Sequence, residues 1–200
     1  MVPDAEQSVE SQAPEPATET AAAAAPQPRP RRNGWFLWLR DLGISSLAAF
    51  FIITFLYQPV RVEGISMLPR LENEDRLFVN KFIYHFSNIE RGDVIVFRYP
   101  RNPQTSYIKR VVAIPGDSIR IDRGQVYVND KPLSEPYVPE EYRDTRSFDE
   151  ITIPAEEYFV LGDHRSIAAD SREFGPVQRD LIYGKAAFIY WPTQDVGVVH

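Results

Sequence analysis

Tyr107-Ile108-Lys109-Arg110-Val111-Val112-Ala113-Ile114-Pro115-Gly116-Asp117 is the stretch on which the fold turns. It is dense in β-branched and aromatic residues and stops at Pro-Gly-Asp, so it reads as a strand closed by a turn. A period of two puts Tyr107, Lys109 and Val111 on one face and Ile108, Arg110 and Val112 on the other. One of the two adjacent cations must therefore point toward whatever Tyr107 and Val111 pack against. Two readings of Lys109 stay open. Its stem covers apolar surface while its head reaches water, or it is desolvated and accepts protons. The second needs a fall of roughly three units from about 10.4, a cost of about 4 kcal/mol, which full burial can supply.

Working outward, similar short runs of Val, Ile, Phe and Tyr recur at 76–79, 93–99, 118–121, 125–128, 157–161 and 185–191. Asn129-Asp130 and Asp122-Arg123-Gly124 read as tight turns between strands. Few windows show a helical period. Residues 59–200 thus form a mainly β, antiparallel domain long enough for one real core. The polar, Pro-containing stretch 134–149 reads as an extended surface excursion.

The first third differs. Residues 1–33 are rich in Ala, Pro, Glu and Gln without apolar periodicity, and read as a disordered tail. Its acids (Asp4, Glu6, Glu10, Glu15, Glu19) argue against an organelle transit peptide. From 42 to 57 the only polar side chains are Ser45, Ser46 and Thr54, apolar residues cover every face, and this stretch alone spans roughly 24 Å as a helix. Extending it to 34–58 gives a membrane anchor, with Arg40 snorkelling and Trp35 and Trp38 in the headgroup belt. Arg29, Arg31 and Arg32 precede the span, which puts the tail on the cytoplasmic side and the β domain across the membrane. Tyr57-Gln58-Pro59 is a poor cleavage site, so the anchor reads as uncleaved.

Composition narrows the chemistry. The net charge of -6 argues against a nucleic-acid partner, and the lack of cysteine excludes disulfides and thiolate chemistry. His85, His164 and His200 are scattered and show no metal-binding spacing; no metal or cofactor is expected. Two further clusters stand out. Glu63-Gly64-Ile65-Ser66-Met67-Leu68-Pro69 holds a lone hydroxyl between Gly and Pro, which by itself is an ordinary turn serine. Gly162-Asp163-His164-Arg165-Ser166-Ile167-Ala168-Ala169-Asp170-Ser171-Arg172 is a dense polar loop after an apolar strand, where Asp163, Arg165, Asp170 and Arg172 can form a paired network. A Ser-His-Asp reading through His164 is weak, because no GxSxG elbow surrounds Ser66.

The order of these features resembles the type I signal peptidases over about residues 35–192: basic flank, single span, Ser-Met-Leu-Pro, Arg91-Gly92-Asp93-Val94, Tyr-Ile-Lys-Arg-Val-Val-x-x-Pro-Gly-Asp, and Gly-Asp-x-Arg with Asp-Ser-Arg. The resemblance implies a domain of two antiparallel sheets, shared with self-cleaving repressors of the SOS type, and a Ser/Lys dyad at Ser66 and Lys109. It implies an oxyanion donor in the Ser66 backbone N–H, with Asp163, Arg165, Asp170 and Arg172 as support. Gly64 stands where some members carry a second, hydroxyl donor. The implied substrates are exported precursor proteins with signal peptides, cleaved after small residues (Ala-x-Ala). They would add as a strand beside Tyr107 and Ile108, with Val62, Met67 and Ile108 lining shallow pockets. The lipid bilayer is the other implied partner, and the translocation machinery a candidate one; the location is the plasma membrane or a thylakoid membrane.

The third cluster departs from the family pattern Gly-Asp-Asn-Arg-x-x-Ser-x-Asp-Ser-Arg at His164 and at Ala168. The missing serine normally orients the base lysine. Three explanations stand: a water or Ser166 substitutes, the enzyme is slow or specialised, or the chain is an impaired paralogue that binds precursors or a translocation partner. A membrane-bound self-cleaving relative would need a cleavage site within the chain, and the region of Pro28 and Arg29 offers none that convinces. With both dyad residues present, the active enzyme is the favoured reading.

Overall fold

The structure is a computed structural model and describes residues 34–199; the tail expected over 1–33 lies outside the described residues. Helix α1 (Gly34–Leu56) has 23 residues, a mean hydropathy of 1.7 over its most apolar window and none of that window buried, so it is long and apolar enough to cross a membrane. It stops two residues short of the expected boundary at 58. Tyr57 and Gln58 already belong to strand β1 (Tyr57–Arg61), where the backbone pairs with a neighbouring strand and Pro59 holds Gln58 out of the helical region.

Two antiparallel sheets make up the rest, as expected. The larger has the order β1-β2-β11-β3-β4-β9-β10, formed by β2 (Arg76–Asn80), β3 (Val94–Tyr99), β4 (Asn102–Ala113), β9 (Glu157–Leu161), β10 (Val177–Gln178) and β11 (Ile182–Trp191), with β12 (Gly197–Val198) paired to β11. The smaller has the order β7-β6-β5-β8, from β5 (Ser118–Asp122), β6 (Gln125–Val128), β7 (Lys131–Pro132) and β8 (Phe148–Thr152). Both expected turns are present. Asn129 and Asp130 have φ of 50° and 61°, and Arg123 and Gly124 have 47° and 85°, the left-handed pair that closes a two-residue hairpin.

The decisive stretch is the second half of β4. Tyr107 and Val111 pack in one apolar cluster with Phe97, Val160 and Val177, while Ile108 joins another with Val62, Met67 and Val96. Val112 faces a third cluster, where Phe159 and Leu161 meet Ile119, Val126 and Val128 of the smaller sheet. The strand therefore contributes side chains to three clusters, which fixes its register against slippage.

The stretch 134–149 runs over the surface, as expected, but is anchored inward at two points. Glu135 is buried at 4% exposure and Val138 at 3%, and the Arg146 carbonyl accepts from the Gly124 N–H at 3.0 Å. The segment is a strap tied to the smaller sheet and to the polar loop after β9. Part of its polarity is used in ion pairs, through Glu135 and Asp144, while Glu140, Glu141 and Asp149 stay exposed.

Candidate active site

Beyond β1 the chain keeps pairing briefly with the segment before β2: the Val62 N–H donates to the Asp75 carbonyl at 2.7 Å and the Glu74 N–H to the Val62 carbonyl at 2.9 Å. It then turns. Gly64 takes a φ of +101°, a conformation that costs a residue with a Cβ, and its N–H donates to Asn73 Oδ1 at 2.8 Å. Met67 is anchored in the core at 2% exposure, and its carbonyl accepts from the Leu71 N–H. Ser66 is thus carried on a turn fixed at both ends.

The Lys109 Nζ lies 2.6 Å from Ser66 Oγ and donates to the Ile108 carbonyl at 3.0 Å; it stands 5.2 Å from the centre of the Tyr107 ring, on the face that the period of two assigns. Lys109 is buried at 4% exposure. Burial pushes its pKa down to about 8, against a smaller opposing pull from the Asp170 and Asp163 carboxylates. This resolves the two readings of Lys109 in favour of the desolvated amine. Gly162 permits the close approach: a Cβ there would stand 2.4 Å from Ala168 Cβ and 2.6 Å from the Ser66 carbonyl oxygen.

Arg110, on the opposite face, is equally buried, but it meets charge. Its Nε and Nη2 donate to both Asp163 oxygens at 2.9 and 2.7 Å, and its guanidinium lies 4.2 Å from the centre of the Tyr137 ring. Arg165 pairs with Glu135 of the strap and donates to the Gly162 carbonyl at 3.0 Å. Arg172 is bidentate on Asp170 and reaches Asp144 at 2.9 Å. Only the Asp170–Arg172 pair lies within the loop expected to pair with itself; Asp163 and Arg165 find partners outside it. Desolvation lifts the Asp163 carboxyl above its usual range even with Arg110 on it.

Ala168 is buried, and Ser166 is exposed and absent from the hydrogen bonds of Lys109, so Ser166 does not substitute for the missing hydroxyl. Within the described residues Lys109 is held instead by Ile108 and Ser66. Sequence reasoning missed Glu135, Asp144, Asn73 and the contact of His164 with the Ser66 turn. One signal was available for Glu135: three buried arginines require more carboxylates than Asp163 and Asp170 supply.

A cleft of about 420 Å³ opens over Ser66 and Lys109 and is lined by all four expected binding residues, Val62, Met67, Tyr107 and Ile108, with Ile65 and Ile167 at hand. On its β4 wall, β3 pairs with Ser106 through Arg110 while β9 joins only at Arg110, so 106–109 are paired on one side only.

Comparison with known proteins gives the family of the chain. The family model for signal peptidase, peptidase S26, matches residues 35–191. "Signal peptidase I P" of Bacillus subtilis subsp. natto is 35% identical over 168 residues, 80% of this chain and 90% of that protein. "Signal peptidase I" of Leptolyngbya laminosa is 37% identical over 168 residues, 80% of this chain and 81% of that one. A crystal structure of a signal peptidase I from Enterococcus faecalis is 30% identical with a TM-score of 0.46, covering 50% of this chain and 98% of its own. The matched proteins form a class of serine hydrolases. The chain belongs to the signal peptidase family, peptidase S26.

Proposed function

We propose that this protein is a membrane-anchored endopeptidase that removes signal peptides from exported precursors, with Ser66 as nucleophile and Lys109 as general base. The observation that carries the reading is the 2.6 Å contact between Ser66 Oγ and a buried Lys109 amine that makes no ion pair among the described residues. With a pKa of about 8, roughly a tenth of Lys109 is neutral at pH 7, enough to take the Ser66 proton as Oγ attacks the scissile carbonyl. The resulting oxyanion meets the Ser66 N–H, which donates no hydrogen bond among the described residues. Protonated Lys109 then gives its proton to the departing amine of the mature protein. The signal peptide remains esterified to Ser66 until Lys109 deprotonates a water that releases it as a carboxylic acid.

The half-paired edge at 106–109 and the turn segment 62–65 form two walls suited to an extended peptide, which would add as a strand. Val62, Met67 and Ile108 lie close beneath it, which supports small side chains such as those of Ala-x-Ala. Asp163, Arg165, Asp170 and Arg172 act as scaffold for the loop behind Lys109. Helix α1 serves as the anchor, with Arg29, Arg31 and Arg32 holding the N-terminus on the cytoplasmic side and the β domain facing across the plasma or a thylakoid membrane. The active enzyme is favoured over an impaired paralogue because the short Ser66–Lys109 contact is made with Ala168 in place.

The test uses full-length protein in detergent with a precursor peptide carrying Ala-x-Ala. The expected result is cleavage after the second alanine, abolished in Ser66→Ala and in Lys109→Met. Cleavage that survives either substitution contradicts the reading.

A further inference from the structure

His164 touches the Ser66 turn at two points. Its backbone N–H donates to the Ser66 carbonyl at 3.1 Å, and its ring Nδ1 lies 3.2 Å from the Ile65 carbonyl oxygen. A carbonyl oxygen only accepts, so Nδ1 carries the proton. The Leu68 N–H reaches the same oxygen at 3.3 Å, using its other lone pair. The Ile65 carbonyl and the Ser66 N–H belong to one planar peptide unit, so holding the oxygen holds the direction of the N–H. A hydrogen bond accepted by the carbonyl also polarises the amide and makes its N–H a stronger donor. The ring itself is braced edge-on by Tyr142 at 4.7 Å, and the His164 carbonyl is tied by the Ala168 N–H at 3.1 Å.

We propose that His164 is a positioning residue, whose Nδ1–H aims and polarises the Ile65–Ser66 peptide so that the Ser66 N–H stabilises the oxyanion. This rests on the reading of Ser66 as nucleophile. His164 is not a second base: its Nδ1 faces a backbone oxygen, while Lys109 Nζ holds Ser66 Oγ. It acts through the amide and leaves substrate binding in the ground state alone. The asparagine that the related pattern carries at this place fits the same role, because an Asn Nδ2 donor occupies nearly the position of a His Nδ1.

The experiment compares wild type, Ser66→Ala, His164→Ala, His164→Phe and His164→Asn as full-length proteins in detergent. It measures kcat and KM on the Ala-x-Ala precursor peptide and inhibition by a matching peptide aldehyde, which forms a tetrahedral adduct on the nucleophile. Removing an oxyanion donor outright costs about 10²–10³-fold in rate, so misdirecting one is expected to lower kcat by about 10- to 100-fold. His164→Ala and His164→Phe should both show that loss, with KM changed less than about twofold and aldehyde affinity weakened in step with kcat/KM. His164→Asn should recover most of kcat relative to His164→Ala. A packing role gives the opposite order, with Phe near wild type on Tyr142 and Asn as poor as Ala, and that order overturns the proposal. Should His164→Phe fail to fold, the Asn and Ala variants decide it alone. Cleavage surviving in Ser66→Ala refutes the nucleophile itself, whereas full dependence on Ser66 with undiminished kcat in His164→Ala and His164→Phe refutes only the positioning role.

Discussion

Lys109 and Arg110 are neighbours on β4, each almost wholly buried, and the protein treats them in opposite ways. Arg110 meets Asp163 in a bidentate pair and stays charged, while Lys109 meets a hydroxyl and a backbone carbonyl and is pushed toward neutrality. The contrast extends to the regions behind them. Arg165 and Arg172 each have a carboxylate from a different part of the chain, and together with Arg110 they fix the loop after β9. Among the described residues the amine beside Ser66 has none within hydrogen-bonding distance. Burial alone does not make a base; burial with the carboxylates kept one layer away does.

The largest effect that tests this contrast is Lys109→Arg. It keeps the charge but cannot give up its proton at working pH, so kcat is expected to fall by more than about 10⁴-fold, as for loss of a catalytic residue, and the melting temperature falls as well because the longer guanidinium is buried without a carboxylate. An active arginine variant would erase the distinction between the two neighbours. Glu135→Gln attacks the other side. It strands the Arg165 charge in the interior and is expected to destabilise the protein by about 3–5 kcal/mol in urea unfolding, where a surface pair would lose under 1.

How far these two regions could be read from the sequence differs as well. The strand 125–128 was legible to its last residue, since apolar alternation and turn residues mark it locally. Strand β1 was hidden, because its first two residues lie within the stretch assigned to the anchor, 34–58, and Pro59 does not mark a strand, although an edge strand tolerates it where a central one would not. Strand β8 was hidden by the paired acids Asp149 and Glu150. Ser66 and Lys109 were identifiable only through the resemblance, because a turn serine and a strand lysine carry no local signature. The framework was half legible: Asp163, Arg165, Asp170 and Arg172 were visible as a cluster, but their partners Arg110, Glu135 and Asp144 come from distant segments whose approach only the fold determines.

Acidity gives the next effect. A base must be neutral to act, so log kcat/KM should rise with unit slope as pH increases and level off above about 8, leaving the rate at pH 6 about 100-fold below the plateau. Stability follows the same group. The folded pKa lies below the ordinary 10.5, so between about 8 and 10.5 the unfolded chain binds more protons and stability should rise with pH. Lys109→Met, which abolishes cleavage, should flatten the stability dependence. The smallest effect is expected from Ala168→Ser, since Lys109 already has two partners: kcat should change by less than about threefold. A sharp rise would reveal a deficit and favour the impaired-paralogue reading.

The central claim, a lysine beside Ser66 whose pKa burial lowers to about 8, is tested most directly by titrating Lys109 itself. In full-length protein with ¹³Cε-labelled lysine, the Lys109 signal, assigned by its loss in Lys109→Met, is followed by NMR from pH 6 to 12. A midpoint of about 8 is the expected result. A midpoint above 10, like that of an exposed lysine, would contradict the account.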